Sequence, residues 1–142
     1  MDMRQITDTY FVAPQLDPSD MALAAAAGIT TIINNRPDAE IPDSHHTPAM
    51  QAAAEAAGLA FVILPITHQT MTPEAVATQS EAAQSGGKVL AYCASGTRST
   101  IIWAMGQARS GDLSVDEIVQ AAADGGYDLS NMRPQLSQLS QG

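Results

Sequence analysis

The sequence has one cysteine, Cys93, in 142 residues. That excludes an internal disulfide and any metal site built from several thiolates. Aromatic residues are scarce, at 4% with a single Trp. Basic residues are also few. Arg4, Arg36, Lys88, Arg98, Arg109 and Arg133 are the whole set, against 15 acidic residues, for a formal net charge of −9. Phosphate backbones reward Lys/Arg patches, so no nucleic-acid partner is expected. No run of 18 apolar residues occurs, so neither a membrane span nor a membrane partner is expected. The first ten residues lack the apolar stretch of a signal peptide, and the expected location is cytoplasmic.

Hydrophobic residues make up 45%, enough for one core, and the length suits one domain over residues 1–142. Tyr10-Phe11-Val12 reads as a short strand. Ile29–Asn34, Leu59–Leu64 and Lys88–Tyr92 are apolar and rich in β-branched residues, as in strands covered on both faces. Asp17-Pro18, Thr47-Pro48 and Thr72-Pro73 each place a capping oxygen before a residue with no N–H to satisfy, and so predict three helix starts. These helices are predicted over Pro18–Ala27, Thr47–Ala57 and Pro73–Gln84, and Asn35–His46 reads as a loop. Ser99–Arg109 is predicted to be a central helix with almost no polar face, and Trp103 to be core. Ser114 and Glu117 form a capping box ahead of another helix, and Asn131–Leu139 is a last short one. Strands alternating with helices predict an α/β fold: a mostly parallel sheet of four to five strands with helices on both faces.

The chemistry concentrates in Cys93-Ala94-Ser95-Gly96-Thr97-Arg98-Ser99. Cys93 ends a predicted parallel strand, where open α/β sheets place their ligands. The following loop runs into a helix, so the N–H groups of Ala94, Ser95, Gly96, Thr97 and Ser99 are candidates for an anion cradle. Gly96 permits a turn that a Cβ would hinder. Arg98 supplies a planar fork for an oxyanion, and its charge with the loop's N–H groups favours a Cys93 thiolate. Cys93 and Arg98 are the predicted catalytic pair, with a small anion as the substrate partner.

This loop resembles the Cys-x-x-Gly-x-Arg loop of single-domain rhodaneses. It also resembles the Cys-x-x-Gly-x-x-Arg-Ser/Thr loop of tyrosine and dual-specificity phosphatases, shortened by one residue. Together with Ile32-Ile33-Asn34-Asn35-Arg36-Pro37-Asp38, Gln15–Asp20 and Leu64-Pro65-Ile66, it is similar to the beta-lactamase hydrolase-like, phosphatase-like domain family over about residues 3–110. The resemblance implies a dual-specificity-phosphatase-like fold and either phosphatase or sulfur-transfer chemistry. It also implies a persulfide-oxidising metallo-β-lactamase-like enzyme as a partner.

Four residues separate Cys93 from Arg98, Tyr92 precedes the cysteine, and no Asp occurs in Pro65–Thr70, where such phosphatases carry their acid. These features favour sulfur transfer through a Cys93 persulfide, with a thiosulfonate or persulfide donor. Ser99 points instead to the alternative, a phosphatase-like hydrolase acting on a phosphoester through phosphocysteine. A third reading is a non-catalytic module that binds an anion or senses oxidants through Cys93. Arg36 is a candidate second anion clamp and Asp38 a candidate acid or base, unless the two pair with each other. His68 is a candidate replacement acid. His45 and His46 lack a third ligand at metal-like spacing, so neither a metal nor a cofactor is expected.

Overall fold

Strand β3 (Ile29–Asn34) lies inside the sheet, and its run of β-branched residues suits burial on both faces. It pairs in parallel with β4 (Ala60–Ile63) on one side and β5 (Lys88–Tyr92) on the other. Strand β5 pairs in parallel with β2 (Tyr10–Ala13), and β2 pairs antiparallel with a two-residue strand, β1 (Arg4–Gln5). The five strands run in the order β1-β2-β5-β3-β4. This computed structural model describes residues 1–141.

Alternate side chains of the strands point to opposite faces and build two cores. Phe11, Ala13, Ile32, Leu90 and Tyr92 face Met21 and Ala24 of α1 (Asp20–Ala26) and Met50 and Ala54 of α2 (Thr47–Ala56). Tyr10, Val12, Ile33, Val89 and Ala91 face the other layer: α3 (Pro73–Ala83), α4 (Thr97–Ser110), α5 (Val115–Asp124) and α6 (Arg133–Gln141). Trp103 of α4 stacks on Tyr10, with ring centroids 5.9 Å apart. The expected α/β sheet with helices on both faces is the observed architecture.

Several local expectations need correction. Helix α1 begins at Asp20, so Asp17 is not its cap, and the Asp17 carboxylate meets His45 Nε2 at 2.6 Å instead. At α2 the capping residue is His46, and Thr47 is already helical. Its N–H donates to Asp38 Oδ1 at 2.9 Å, so a distant carboxylate does the work expected of the Thr47 hydroxyl. Strand β4 is an edge strand, with Ala60 and Ile63 exposed, and is not covered on both faces. Helix α4 starts at Thr97, two residues before the expected Ser99, and its Ile101 and Met105 are only partly covered. The caps at Thr72 and Ser114 form as expected, the latter as a full capping box.

Leu136 of α6 is fully buried in the core that also holds Trp103 and Ala104 of α4. Replacing Leu136 with Ala is expected to remove about 2–5 kcal/mol of stability. Denaturant unfolding of Leu136→Ala beside the parent chain measures this directly.

Candidate active site

Cys93 follows the last residue of β5 and is fully buried. Its N–H donates to Ala13 O at 3.4 Å, and the Gln15 N–H donates to Ala94 O at 3.3 Å, which ties the loop to the end of β2. The chain then reverses into α4 through Gly96, at φ 93°. This left-handed backbone favours glycine, and a Cβ there would also run into the Tyr127 hydroxyl. The turn aims the Gly96 N–H at Cys93 Sγ, 3.1 Å away. Gly96 is also the N-cap of α4 and offers no side-chain cap. The leading N–H groups of a helix have no intrahelical acceptor, so those of Arg98 and Ser99 are free to meet an anion at the loop. Ala94 and Ser95 are exposed, and Tyr127 holds the loop from outside by donating to Ser95 O at 2.9 Å.

Arg98 lies in the first turn of α4 with its fork locked in place. Its Nη1 donates to Glu40 Oε2 at 3.0 Å and to Ile66 O at 2.9 Å, and its Nη2 donates to Glu40 Oε1 at 2.8 Å. A guanidinium has five N–H groups, so Nε–H and one Nη2–H remain as a second, adjacent fork. Glu40 therefore orients Arg98 without exhausting it. The hydrogen bond from Arg98 holds the Glu40 carboxyl below the usual glutamate range, and the same contact raises the Arg98 guanidinium. The pair's contribution is thus present above the ordinary Glu value and is lost as pH falls through the lowered one.

Behind the loop lies a buried polar network. Ser99 Oγ donates to Asn35 Oδ1 at 2.8 Å, and Asn35 Nδ2 donates to Gln79 Oε1 at 2.9 Å and to Leu64 O at 3.0 Å. Gln79 Nε2 donates to the Tyr10 hydroxyl at 3.0 Å, which donates to Ser99 O at 2.7 Å. Burial pushes the Tyr10 phenol up, so it stays neutral. Tyr10 of β2, Asn35 just after β3 and Gln79 of α3 thereby fix the start of α4. The Ser99 hydroxyl proton is committed to Asn35, away from the Cys93 sulfur. Tyr92 is buried against α1 and α2, and burial also pushes its phenol up.

The structure separates the accessory candidates. Arg36 does not pair with Asp38. Its Nε meets Glu40 Oε1 at 3.3 Å and its Nη1 meets Gln15 Oε1 at 3.2 Å, so it supports the carboxylate that orients Arg98. Asp38 Oδ1 accepts from both the N–H and the hydroxyl of Thr47, which makes it the anchor of α2. His68 is exposed on a turn stapled by Thr67 and Thr70, and it lines a cavity of about 690 Å³ together with Thr97. Glu40, Tyr127 and Gln79 are absent from the sequence expectations. Glu40 stands 58 residues before Arg98, and no local spacing joins them. Asn35 lies inside the Ile32–Asp38 motif.

The family model for the phosphatase-like domain of beta-lactamase hydrolase-like proteins matches residues 2–110. The chain belongs to this family. A beta-lactamase hydrolase-like protein of Xylella fastidiosa is 32% identical over 130 residues, which is 91% of this chain but only 30% of the relative. A crystal structure from Neisseria meningitidis Z2491, described as that of a candidate phosphatase, is 34% identical, with a TM-score of 0.82 and coverage of 98% of this chain and 99% of that one. PTPMT1, at 16% identity, shares the fold alone, with a TM-score of 0.73 over 98% of this chain and 94% of its own. The names of the family domain and of the Neisseria structure back the phosphoester alternative rather than the sulfur-transfer reading favoured by loop length. The family match ends at the last residue of α4, so Tyr127, which clasps the loop, comes from beyond it.

Arg98→Lys keeps the charge but loses the second fork. Affinity for an oxyanion such as tungstate is expected to fall by about 10²-fold, the scale of one lost oxyanion donor, with the fold retained. Calorimetric titration and circular dichroism of the variant check both halves.

Proposed function

We propose that the chain is a cysteine-dependent, phosphatase-like hydrolase that works through a covalent Cys93 intermediate. The observation that carries this reading is the Cys93 sulfur facing the Gly96 N–H, beside an Arg98 fork that Glu40 aligns and leaves half free. In the first step the Cys93 thiolate attacks phosphorus, the bond to the ester oxygen breaks, and the leaving alkoxide takes a proton from solvent or from His68. In the second step water attacks the phosphocysteine, the S–P bond breaks, and inorganic phosphate leaves with the thiolate restored. Loop N–H groups and the Arg98 fork neutralise the non-bridging oxygens in both steps.

Sulfur transfer is the second reading, and the four-residue spacing between Cys93 and Arg98 favours it. There the thiolate attacks the sulfane sulfur of a thiosulfonate. An S–S bond forms and the sulfinate leaves with the electron pair. An acceptor thiolate then takes the outer sulfur and releases Cys93. The metallo-β-lactamase-like partner belongs to this reading. The relatives' greater length is compatible with it, since the chain spans less than a third of the matched Xylella protein.

One preparation assayed for both activities decides between them. An aryl phosphate is expected to be hydrolysed, with activity falling to background in Cys93→Ser and quenched protein gaining the mass of a phosphoryl group. An alkyl phosphate should be slower, because assistance to a poor leaving group is worth about 10²–10⁴-fold and His68 is the sole candidate proton donor on its loop. Sulfur transfer to cyanide from thiosulfate, with no Cys93-dependent phosphate release, would replace the first reading by the second.

A further inference from the structure

The cavity that His68 and Thr97 share does not end at the loop. Thr97, Ile101 and Met105 stand four residues apart on one face of α4 and line it in succession. At 1.5 Å per residue this wall runs about 12 Å from the loop. Met71 closes it from the segment before α3, and Met132 and Leu139 close it from the C-terminal helical segment. Its volume, about 690 Å³, is in the range of small-molecule sites.

The charges along this groove select its occupant. Its lining contains no Lys or Arg; Asp128 is its carboxylate, His68 its titratable ring, and Thr97, Asn131, Gln135 and Gln138 its uncharged polar side chains. Hydrogen bonds from Ser130 hold the Asp128 carboxyl below its usual range, so it is anionic at neutral pH. The next basic side chain along this face, Arg109, lies beyond Met105 in a smaller adjoining hollow and donates to Pro73 O at 3.2 Å. A leaving group carrying carboxylates or further phosphates would meet the Asp128 carboxylate and no Lys or Arg. An uncharged chain would meet methionines, whose flexible thioethers adapt to varied apolar shapes.

We infer that this groove seats an uncharged apolar chain whose anionic end is held at Cys93 and Arg98, so that the substrate is a monoanionic or dianionic head on a hydrocarbon tail. This rests on the hydrolase reading above and narrows its substrate class.

The test uses straight-chain alkylphosphonates, from ethyl to octyl, which carry the head but no cleavable ester. Their affinities are measured calorimetrically on the full chain and on Met105→Asp, with Met105→Gln as a milder variant should the first not fold. Affinity is expected to rise with chain length by up to about fourfold per methylene, the worth of a buried CH₂, and the slope should collapse in the variants. Equal affinity at all lengths would overturn the inference and leave the hydrolase reading intact. If no phosphonate binds and no phosphoester is cleaved, the hydrolase reading falls. The same series as alkyl thiosulfonate sulfur donors then decides the groove: a rising kcat/KM supports it and a flat one overturns it.

Discussion

A strand must turn into a helix within a few residues while keeping a buried sulfur in view of the helix's first N–H groups. Gly96, at φ 93°, allows this. With the left-handed turn in place, its N–H faces Cys93 Sγ, and the first N–H groups of α4 follow it without intrahelical acceptors. Any side chain at position 96 would strain the backbone and collide with Tyr127. Everything else around the site holds this turn in place or charges it.

Two supports do so from opposite sides. From within, the buried chain of Ser99, Asn35, Gln79 and Tyr10 pins the start of α4 to β2, to the residue after β3 and to α3. Each polar group in it has a partner, which is what makes such a network tolerable in a core. From without, Glu40 grips one edge of Arg98 and leaves the other unpaired, and Arg36 steadies Glu40. A negative carboxylate beside an anion site is a cost to anion binding. Its return is that Arg98 loses less side-chain entropy when the anion arrives.

The sheet and most helices were legible in the sequence because their signals are local: β-branched runs for β3 and β5, and capping oxygens before α3 and α5. The failures share one cause, which is that distant residues supplied what local residues were expected to supply. Asp38 anchors α2 in place of the Thr47 hydroxyl, and Asp17 serves His45 in place of α1. Strand β4 reads like an interior strand, yet its place at the sheet edge is decided by topology. At the site, Cys93, Gly96 and Arg98 could be read from one heptapeptide. Glu40, Gln79 and Tyr127 could not, since each reaches the loop only through the tertiary fold. The same limit governs chemistry: loop length favours sulfur, Ser99 favours a phosphoester, and the phosphatase-like family match backs the second.

On the proposed reading, the Cys93 loop is a preformed oxyanion cradle with the sulfur at its floor. The most direct measurement is the rate of Cys93 carboxymethylation by iodoacetate with and without tungstate, a phosphate-shaped oxyanion. Saturating tungstate is expected to protect Cys93 strongly in the parent chain, and Arg98→Lys to need far more of it. Alkylation at the same rate with and without tungstate would show that no such cradle encloses the sulfur.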